Sequence, residues 1–251
     1  MRERDRYGGL VASTWDLLRG DTSDWPDVPF YREVIDRAGQ PVLDVGCATG
    51  RLLLDFLAAG VDIDGVDSSE DMLAICRDKA ASRGLRPRLY EQRMEQLDLP
   101  RRYRTILVPS SSFQLVIDRD LAVQAMRRFH AHLDEGGVLA MPFMILEGAE
   151  TPWRITAERV RPEDGAQVRR WSMSSVDLDD QLERDEDRIE ILRDGSLIAA
   201  EERTQLVRWY TRSQAEALYL QAHFQDVQVL DGFTFKTAAS DARLFTVLGR
   251  R

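Results

Sequence analysis

The residues best suited to chemistry lie in one segment, Asp44-Val-Gly-Cys-Ala-Thr-Gly50, which follows a short apolar run. Glycine at positions 46 and 50 lets the backbone approach a ligand closely, and a helix starting at Arg51 would offer unpaired amides. The segment departs from the G-x-G-x-x-G pattern of a dinucleotide-binding turn, because Cys47 and Ala48 follow Gly46. It also lacks the lysine of a P-loop. It therefore predicts a ligand-binding turn, with a strand-to-helix turn that binds nothing as the alternative.

A second acidic residue, Asp67, stands at the end of the next apolar run, Val61 to Asp67. A carboxylate at the end of a second strand can accept hydrogen bonds from both hydroxyls of a ribose. Taken alone, an aspartate in this position usually just initiates a helix. Together with the glycine segment, it indicates a ligand that contains a nucleoside.

These motifs, in this order and spacing, resemble those of the class I S-adenosylmethionine-dependent methyltransferases, specifically the small-molecule type with a β insertion after strand 5. Asp44 to Gly50 is similar to the family's first motif, D/E-x-G-x-G-x-G, and Gly65 to Leu73 to its ribose-binding segment. Tyr90 to Glu95 resembles the segment that edges the adenine. Further similarities are Ile106 to Ser110, at the fourth strand, and His132 to Val138, at the turn into the fifth.

The resemblance implies S-adenosyl-L-methionine as cofactor and S-adenosyl-L-homocysteine as product. The glycine segment would line the methionine half, with Asp44 supporting its ammonium group, while Asp67 would hold the ribose. The cofactor-binding residues that the resemblance implies are Asp44, Gly46, Cys47, Ala48, Gly50, Asp67, Ser68, Met72, Gln92, Met94, Glu95 and Pro109. The chain departs from the family pattern twice. Ala48 replaces a glycine, which is tolerated if its φ stays negative, and Arg93 stands where the family often has aspartate.

Alternating apolar runs and helical patterns between residues 41 and 143 predict βαβ units and a parallel sheet. The predicted fold class is α/β: a Rossmann-like seven-stranded sheet with an antiparallel last strand and helices on both faces. Ser68 is expected to open a helix with Asp71 in a capping box. Glu135-Gly136-Gly137 is expected to turn the chain into the fifth strand, which would begin at Val138.

The residues after the fifth strand change in character. A period of two, with many charges and an Asp194-Gly195 hairpin signal, predicts an inserted antiparallel sheet of three or four strands. The predicted S-adenosylmethionine-binding domain is 1–145 and 211–251, with residues 1–40 as an N-terminal helical cover. The insertion, 146–210, would roof the active site, pair two subunits, or do both.

Composition restricts the class of partner. The formal net charge is −9, and short basic pairs such as Arg127-Arg128 have acidic neighbours, so a nucleic-acid substrate is disfavoured. No apolar stretch is long enough to span a membrane, and no signal peptide is recognisable. The two cysteines are too few for a disulfide framework, which favours a cytoplasmic protein. Monomer and homodimer both remain open.

The expected reaction is in-line methyl transfer to nitrogen or oxygen of a small molecule. Ser110-Ser111-Ser112-Phe113 replaces the Asn/Asp-Pro-Pro-Tyr/Phe motif of DNA and protein-glutamine N-methyltransferases. Each of the three histidines is expected on the surface or in packing, so no catalytic base is assigned, and no metal-site spacing occurs. The candidate substrate residues, with core packing as the alternative for each aromatic, are Tyr7, Trp15, Tyr31, Ser110, Phe113, Phe143, Trp153 and Trp171.

Two other functions stay open at this point. The same fold can bind the cofactor without transferring methyl, as a scaffold or a cyclisation catalyst. A nicotinamide oxidoreductase is disfavoured by the glycine spacing and by the two closing strands, which resemble the antiparallel end of a methyltransferase sheet.

Overall fold

The computed structural model describes residues 7–145 and 150–251. Residues 146–149, the first of the predicted insertion, and residues 1–6 lie outside the described part of the chain. The helices are α1 (Gly9–Ser13), α2 (Trp15–Arg19), α3 (Asp27–Ala38), α4 (Arg51–Ala58), α5 (Glu70–Ser82), α6 (Arg119–His132) and α7 (Arg212–Gln221). The strands are β1 (Val42–Val45), β2 (Ile63–Asp67), β3 (Arg88–Glu91), β4 (Tyr103–Leu107), β5 (Leu133–Met144), β6 (Thr151–Val160), β7 (Gln167–Asp177), β8 (Leu182–Arg193), β9 (Ser196–Arg208), β10 (Gln225–Asp231) and β11 (Leu244–Arg250).

Seven strands form the main sheet, in the order β10-β11-β5-β4-β1-β2-β3. The pairings from β5 through β4, β1 and β2 to β3 are parallel, whereas β11 runs antiparallel to β5 and β10. The predicted fold class, including the antiparallel last strand, is confirmed. Because β1, β2 and β4 are parallel neighbours, their carboxyl ends meet at one edge, which is where such sheets bind ligands.

Helices cover both faces of this sheet because its buried strands are apolar on both sides. On one face, Leu43 and Val45 pack with α6 and α7. On the other, Val42 and Ile63 pack with α3, α4 and α5. None of the described helices is long and apolar enough to cross a membrane.

The inserted sheet consists of four antiparallel strands in the order β6-β7-β8-β9. Asp194 and Gly195 join the last two with φ of 51° and 77°, the left-handed pair of a type I′ turn, which confirms the predicted hairpin. One face, which we call the inner face, packs Val168, Ile189 and Ile191 against α1 and α2. The other is the outer face. The strand pattern of the insertion was thus predictable, and its number of strands falls at the upper end of the expectation.

Two local predictions need correction. Ser69, not Ser68, caps α5: its Oγ accepts a hydrogen bond from the Met72 amide at 3.2 Å. The strand after α6 begins at Leu133, so Glu135-Gly136-Gly137 lies within β5. There the β4–β5 register shifts from Tyr103 opposite Leu133 to Thr105 opposite Val138. A bulge therefore replaces the expected turn. The capping box between Thr211 and Gln214 is confirmed.

An ionic cluster joins β2 to its neighbours. Asp64 is fully buried on β2 and accepts hydrogen bonds from Arg88 at 2.6 Å, Arg101 at 2.8 Å and the Tyr103 hydroxyl at 2.9 Å. The exposed carboxylate of Asp62 binds the same two arginines. A buried carboxylate with three donors from β3, β4 and the turn before it ties this half of the sheet together.

We therefore expect Asp64→Asn to lower the free energy of unfolding by about 1.5–3 kcal/mol, because the fully buried side chain loses its charged hydrogen bonds to Arg88 and Arg101. Asp62→Asn is the matched control: its carboxylate is half exposed, so the cost should stay below about 1 kcal/mol. Urea denaturation followed by circular dichroism measures both. Equal effects at the two positions would contradict this account of the cluster.

Candidate functional site

The loop between β1 and α4, Gly46–Gly50, forms the floor of the site; we call it the glycine loop. Gly46, Ala48 and Gly50 all have positive φ, of 74°, 47° and 85°. A Cβ on Gly46 would lie 2.9 Å from the Ser112 Oγ, and one on Gly50 would lie 2.6 Å from the Cys76 sulfur. Both glycines are therefore required by close packing and by backbone conformation. The negative φ under which alanine was expected to be tolerated at position 48 is not found.

Asp67 fixes this unusual loop. Its Oδ2 accepts a hydrogen bond from the Ala48 amide at 2.9 Å, and its Oδ1 accepts one from the Ser69 amide at 2.9 Å. Burial raises the pKa of this carboxyl, and the bonds from the amides oppose the rise. Asp67 thus joins the glycine loop to the N-terminus of α5, at the carboxyl ends of β1 and β2.

Asp44, on β1 below the loop, is the most unusual acid of the site. It is fully buried, and neither carboxyl oxygen has a hydrogen-bond partner of normal geometry among the described residues. Burial is the main cause that raises its pKa to about 7; Arg51 lowers it and Asp67 raises it further. The hydroxyl of the buried Tyr31 is likewise without a partner in the described part of the chain. An uncompensated buried acid of this kind is typical of a site for a cation.

A cleft at the carboxyl ends of β1 and β4 opens onto these residues. It is lined by Arg19, Asp44, Gly46, Cys47, Ala48, Thr49, Arg51, Leu52, Pro109 and Ser110. The sequence predicted the loop residues, Asp44, Pro109 and Ser110, and the structure brings them together. Arg19, Thr49, Arg51 and Leu52 were missed. Arg19 donates to the Ser110 Oγ at 3.1 Å, and burial, then the nearby Arg51, lowers its pKa.

The residues expected at the adenine edge follow β3. Gln92 donates its amide to the Asp67 carbonyl at 3.0 Å, which places it beside the ribose-binding candidate. Its side-chain amide donates to the Asp98 carbonyl at 3.1 Å, and its Oε1 accepts a hydrogen bond from the Asp98 amide at 2.8 Å. Glu95 is buried and paired with Arg93, so its carboxylate is already occupied. Met94 is partly buried, Met72 is buried in α5, and Ser68 is exposed.

Two candidate substrate residues lie between the glycine loop and the inserted sheet. The Tyr7 ring contacts Trp15 edge-on, with centroids 5.4 Å apart, and its hydroxyl donates to Gln205 on β9 at 2.6 Å. The Tyr7 carbonyl accepts a hydrogen bond from the Ser69 Oγ at the start of α5. Tyr7 therefore bridges the segment that carries Asp67 and the inner face of the inserted sheet.

Other candidates lie elsewhere. Phe113 and Phe143 are fully buried and pack with Phe129, Tyr210 and Phe245, as the core-packing alternative predicts. Trp171 lies three positions after the inner-face Val168 on the same strand, and side chains alternate between the two faces, so Trp171 is on the outer face. With Trp153 it lines a separate cavity of about 370 Å³. These two candidate substrate residues therefore lie on the outer face, away from α1 and α2.

The histidines have structural surroundings. The His132 Nε2 accepts a hydrogen bond from the Leu99 amide at 3.0 Å, and its Nδ1 lies 2.8 Å from the Arg128 carbonyl. His130 packs edge-on against Phe224, and burial lowers its pKa. Both therefore serve packing, as predicted.

Parallel strands that end in a glycine loop and a carboxylate define the class of α/β proteins that bind nucleosides. Comparisons narrow this class. A family model described as a methyltransferase domain matches residues 42–137. The dTDP-3-amino-3,6-dideoxy-alpha-D-glucopyranose N,N-dimethyltransferase of Streptomyces fradiae is 30% identical over 180 residues, 67% of this chain and 66% of that protein. A putative methyltransferase of Geobacillus is 31% identical over 98 residues, 39% of this chain and 40% of that protein.

Solved structures extend the similarity to the whole fold. The CcbJ methyltransferase of Streptomyces caelestis has a TM-score of 0.78 at 21% identity, covering 99% of this chain and 98% of that one. An S-adenosylmethionine-dependent methyltransferase of Clostridium acetobutylicum has a TM-score of 0.77 at 21% identity, covering 95% and 96%. The chain matches 66% of the length of the Streptomyces fradiae protein and 40% of the length of the Geobacillus protein. The chain belongs to the class I S-adenosylmethionine-dependent methyltransferase family.

The left-handed conformation of Ala48 predicts that glycine at this position would stabilise the protein. An L-residue in this conformation costs about 1–2 kcal/mol, and glycine's extra chain entropy costs about 0.5–1 kcal/mol. We expect Ala48→Gly to raise the free energy of unfolding by up to about 1 kcal/mol. Ala74→Gly, an exposed position within α5, should lower it by a similar amount. Chemical denaturation of both variants checks the opposite signs; a loss of stability at position 48 would contradict the strain.

Proposed function

We propose that this protein transfers the methyl group of S-adenosylmethionine to a nitrogen or oxygen atom of a small molecule by in-line displacement. The observation that carries the proposal is the cleft at the carboxyl ends of β1 and β4, which is lined by a buried, unpaired Asp44 together with Arg19, Arg51 and the glycine loop. The net charge of −9 favours a small-molecule acceptor over a nucleic acid.

The polar groups of the cleft fit the amino-acid end of this cofactor. Its ammonium group matches Asp44, which has two oxygens without partners. Its carboxylate matches Arg19, whose guanidinium lies in the same cleft with that of Arg51. Arg51 is already paired with Asp27, which leaves Arg19 as the better partner. We therefore assign Arg19 a role that no motif in the sequence indicated.

The nucleoside end fits the neighbouring strand ends. The two carboxylate oxygens of Asp67 each accept one amide bond and retain lone pairs for the ribose hydroxyls. Met72 and the Ser68 backbone would lie against one adenine face, and the Met94 amide at its edge. Since Gln92 and Glu95 bind protein groups through their side chains, contacts from these two residues would come from the backbone.

When bound, the cofactor supplies an electrophilic methyl group on a sulfonium with a good leaving group. The chain's own contribution is then orientation and the exclusion of water, which can lower the activation barrier by about 7–11 kcal/mol. Residues 1–40 would cover the cleft through Tyr7, Trp15 and Arg19, and the insertion would roof it with its inner face. The free, buried cysteines Cys47 and Cys76 fit a reducing compartment such as the cytoplasm.

The experiment that tests the proposal is a labelled-methyl transfer screen over small amines, phenols, carboxylates and thiols, with S-adenosylhomocysteine binding measured by calorimetry. Turnover of an amine, a phenol or a carboxylate supports it, whereas turnover confined to thiols would keep methyl transfer and overturn the choice of acceptor atom. Tight binding of the homocysteine product without turnover would favour the alternative, a protein of this fold that binds the cofactor without transferring methyl. Failure to bind would overturn both.

We expect Asp67→Ala to weaken S-adenosylhomocysteine binding by about 1.5–3 kcal/mol, the scale of hydrogen bonds to a charged group. Asp78→Ala, at an exposed position of α5, is the control and should leave affinity unchanged. Calorimetry at constant pH measures both. Equal affinity of the Asp67 variant and the wild type would overturn the ribose assignment.

The pKa of Asp44 predicts a pH dependence of cofactor binding. In the protein without cofactor, Asp44 is protonated below about pH 7, whereas pairing with an ammonium group requires the ionised carboxylate. Binding should therefore release a proton below about pH 7, and affinity should rise by up to about tenfold per pH unit before levelling off above it. Asp44→Asn should bind more weakly and lose this slope. Calorimetry with S-adenosylhomocysteine in buffers of different ionisation enthalpy measures the proton release; its absence in the wild type would contradict the assignment.

A further inference from the structure

The inner face of the inserted sheet is divided into an apolar and a polar half. Its apolar half packs on α1 and α2. Its polar half carries three acids of β8, Glu183, Asp185 and Asp187, which share a face because they are spaced by two residues. Asp187 is neutralised: it accepts hydrogen bonds from Ser172 at 2.6 Å and Arg203 at 2.7 Å. Glu183 and Asp185 form no side-chain hydrogen bond or ion pair with any described residue.

The outer face of the same strand behaves differently. Glu186 is paired with Arg184, and Glu190 with Arg188. The strand therefore neutralises its acids where they face solvent and leaves two of them unpaired where they are half-buried. Stability alone would favour the reverse, because a charge withdrawn from water costs more without a partner.

Arg203, from β9, gives an independent indication of a ligand. Its side chain is only 10% exposed, and its guanidinium lies 4.6 Å from the centre of the Tyr7 ring. Two of its nitrogen atoms, Nε and Nη1, are buried and have no hydrogen-bond partner among the described residues. Unpaired donors thus lie close to unpaired carboxylates, which suits a ligand that carries both a cation and oxygen acceptors.

The polar half of the inner face lies next to the segment that follows β4. Glu183 pairs with Val207 across the β8–β9 ladder. The next residue, Arg208, accepts a hydrogen bond at its carbonyl from Gln114 in the 3-10 helix Ser112–Leu115. Ser112 of that helix in turn packs against Gly46 of the glycine loop. The strand segment opposite Glu183 is therefore connected to the glycine loop through one short helix.

We propose that Glu183, with Asp185 beside it, binds the protonated amine of the methyl acceptor and removes its proton. This inference rests on the proposed methyl transfer and narrows its acceptor to an amine with neighbouring oxygen groups, which Arg203 would bind. A proton passes from the ammonium to the Glu183 carboxylate, and the freed lone pair of nitrogen forms the bond to the methyl carbon. The carbon–sulfur bond breaks, its electron pair stays on sulfur, and Glu183 later releases the proton to solvent.

The electrostatic surroundings of Glu183 suit this role. Burial, then the charge of Asp185, raises its pKa to about 7, near the pH at which a general base is most effective. The pKa of Asp185 is also raised by burial and by Asp187, while Arg203 and Arg170 lower it. Two further titratable groups reach the inner face: Tyr7, whose pKa burial raises, and Glu201, which accepts a hydrogen bond from the Leu10 amide at 2.7 Å. The 3-10 helix Ser112–Leu115 contributes no titratable side chain.

The first test compares Glu183→Gln with Glu186→Gln, the outer-face acid of the same strand. Ethanolamine, glucosamine and benzylamine serve as amine probes, with phenol, benzoate and thiophenol as acceptors that lack an amine. We expect an amine to be methylated, and Glu183→Gln to lower kcat/KM by about 10²–10⁴-fold and to abolish the rise of rate with pH near 7. Glu186→Gln should match the wild type, and S-adenosylhomocysteine affinity should be unchanged in both.

Turnover confined to phenol or benzoate would keep the proposed function and overturn this inference, and turnover confined to thiophenol would overturn the acceptor atom of both. Full activity of Glu183→Gln on an amine would overturn it as well. If neither cofactor binding nor turnover occurs, the proposed function fails first and the inference falls with it.

The second test needs no acceptor. Because the pKa of Glu183 lies above its usual 4.5 in the folded protein, its ionisation costs stability as pH rises towards about 7. Glu183→Gln removes that charge, so its Tm should exceed that of the wild type at pH 8, and the difference should vanish below pH 4.5. A lower Tm of the variant across this range would mean that Glu183 stabilises the fold, and would overturn its assignment as a binding group.

Discussion

The geometry of the site depends on the two hydrogen bonds that the Asp67 carboxylate accepts from the amides of Ala48 and Ser69. The glycine loop contains three residues with positive φ, one of which is Ala48, where the conformation costs about 1–2 kcal/mol. A hydrogen bond to a charged group contributes about 1.5–3 kcal/mol, so the bond from the Ala48 amide to Asp67 can offset that strain. Because Asp67 also binds the Ser69 amide, the same side chain sets the loop and the start of α5 at a fixed separation.

The two acids of the site, Asp44 and Asp67, are largely removed from solvent. Asp44 and Asp67 both have pKa values raised by burial, and neither is paired with a side-chain cation. Elsewhere the chain pairs its buried acids, as Asp64 shows with two arginines and a tyrosine. Local rules of stability are therefore broken at Asp44 in the cleft and at Arg203 on the inner face of the inserted sheet, and such exceptions are expected at functional sites.

Much of this arrangement was predictable, for physical reasons that differ between regions. Asp44, Gly46, Gly50 and Asp67 were predictable because close approach and strand ends restrict the residue types that fit. Arg19 was not, since an arginine on a short helix carries no periodic or spacing signal, and only the fold brings it to Ser110. Phe113 and Phe143 were ambiguous because core packing and substrate contact favour the same aromatic residues.

The inserted sheet shows what an alternating pattern leaves undetermined. Period-two alternation separates Val168 from Trp171, but it does not say which set faces the rest of the protein. Aromatic content pointed to the tryptophans, whereas the contacts of Val168 and Ile189 with α1 and α2 assign the opposite set. The distribution of charge contains a further signal: Arg188 neutralises Glu190 on the outer face, and Glu183 has no such partner on the inner face. Under the proposed assignment of Glu183, the ligand-facing side of this sheet is distinguished by its unpaired charge and not by its aromatic residues.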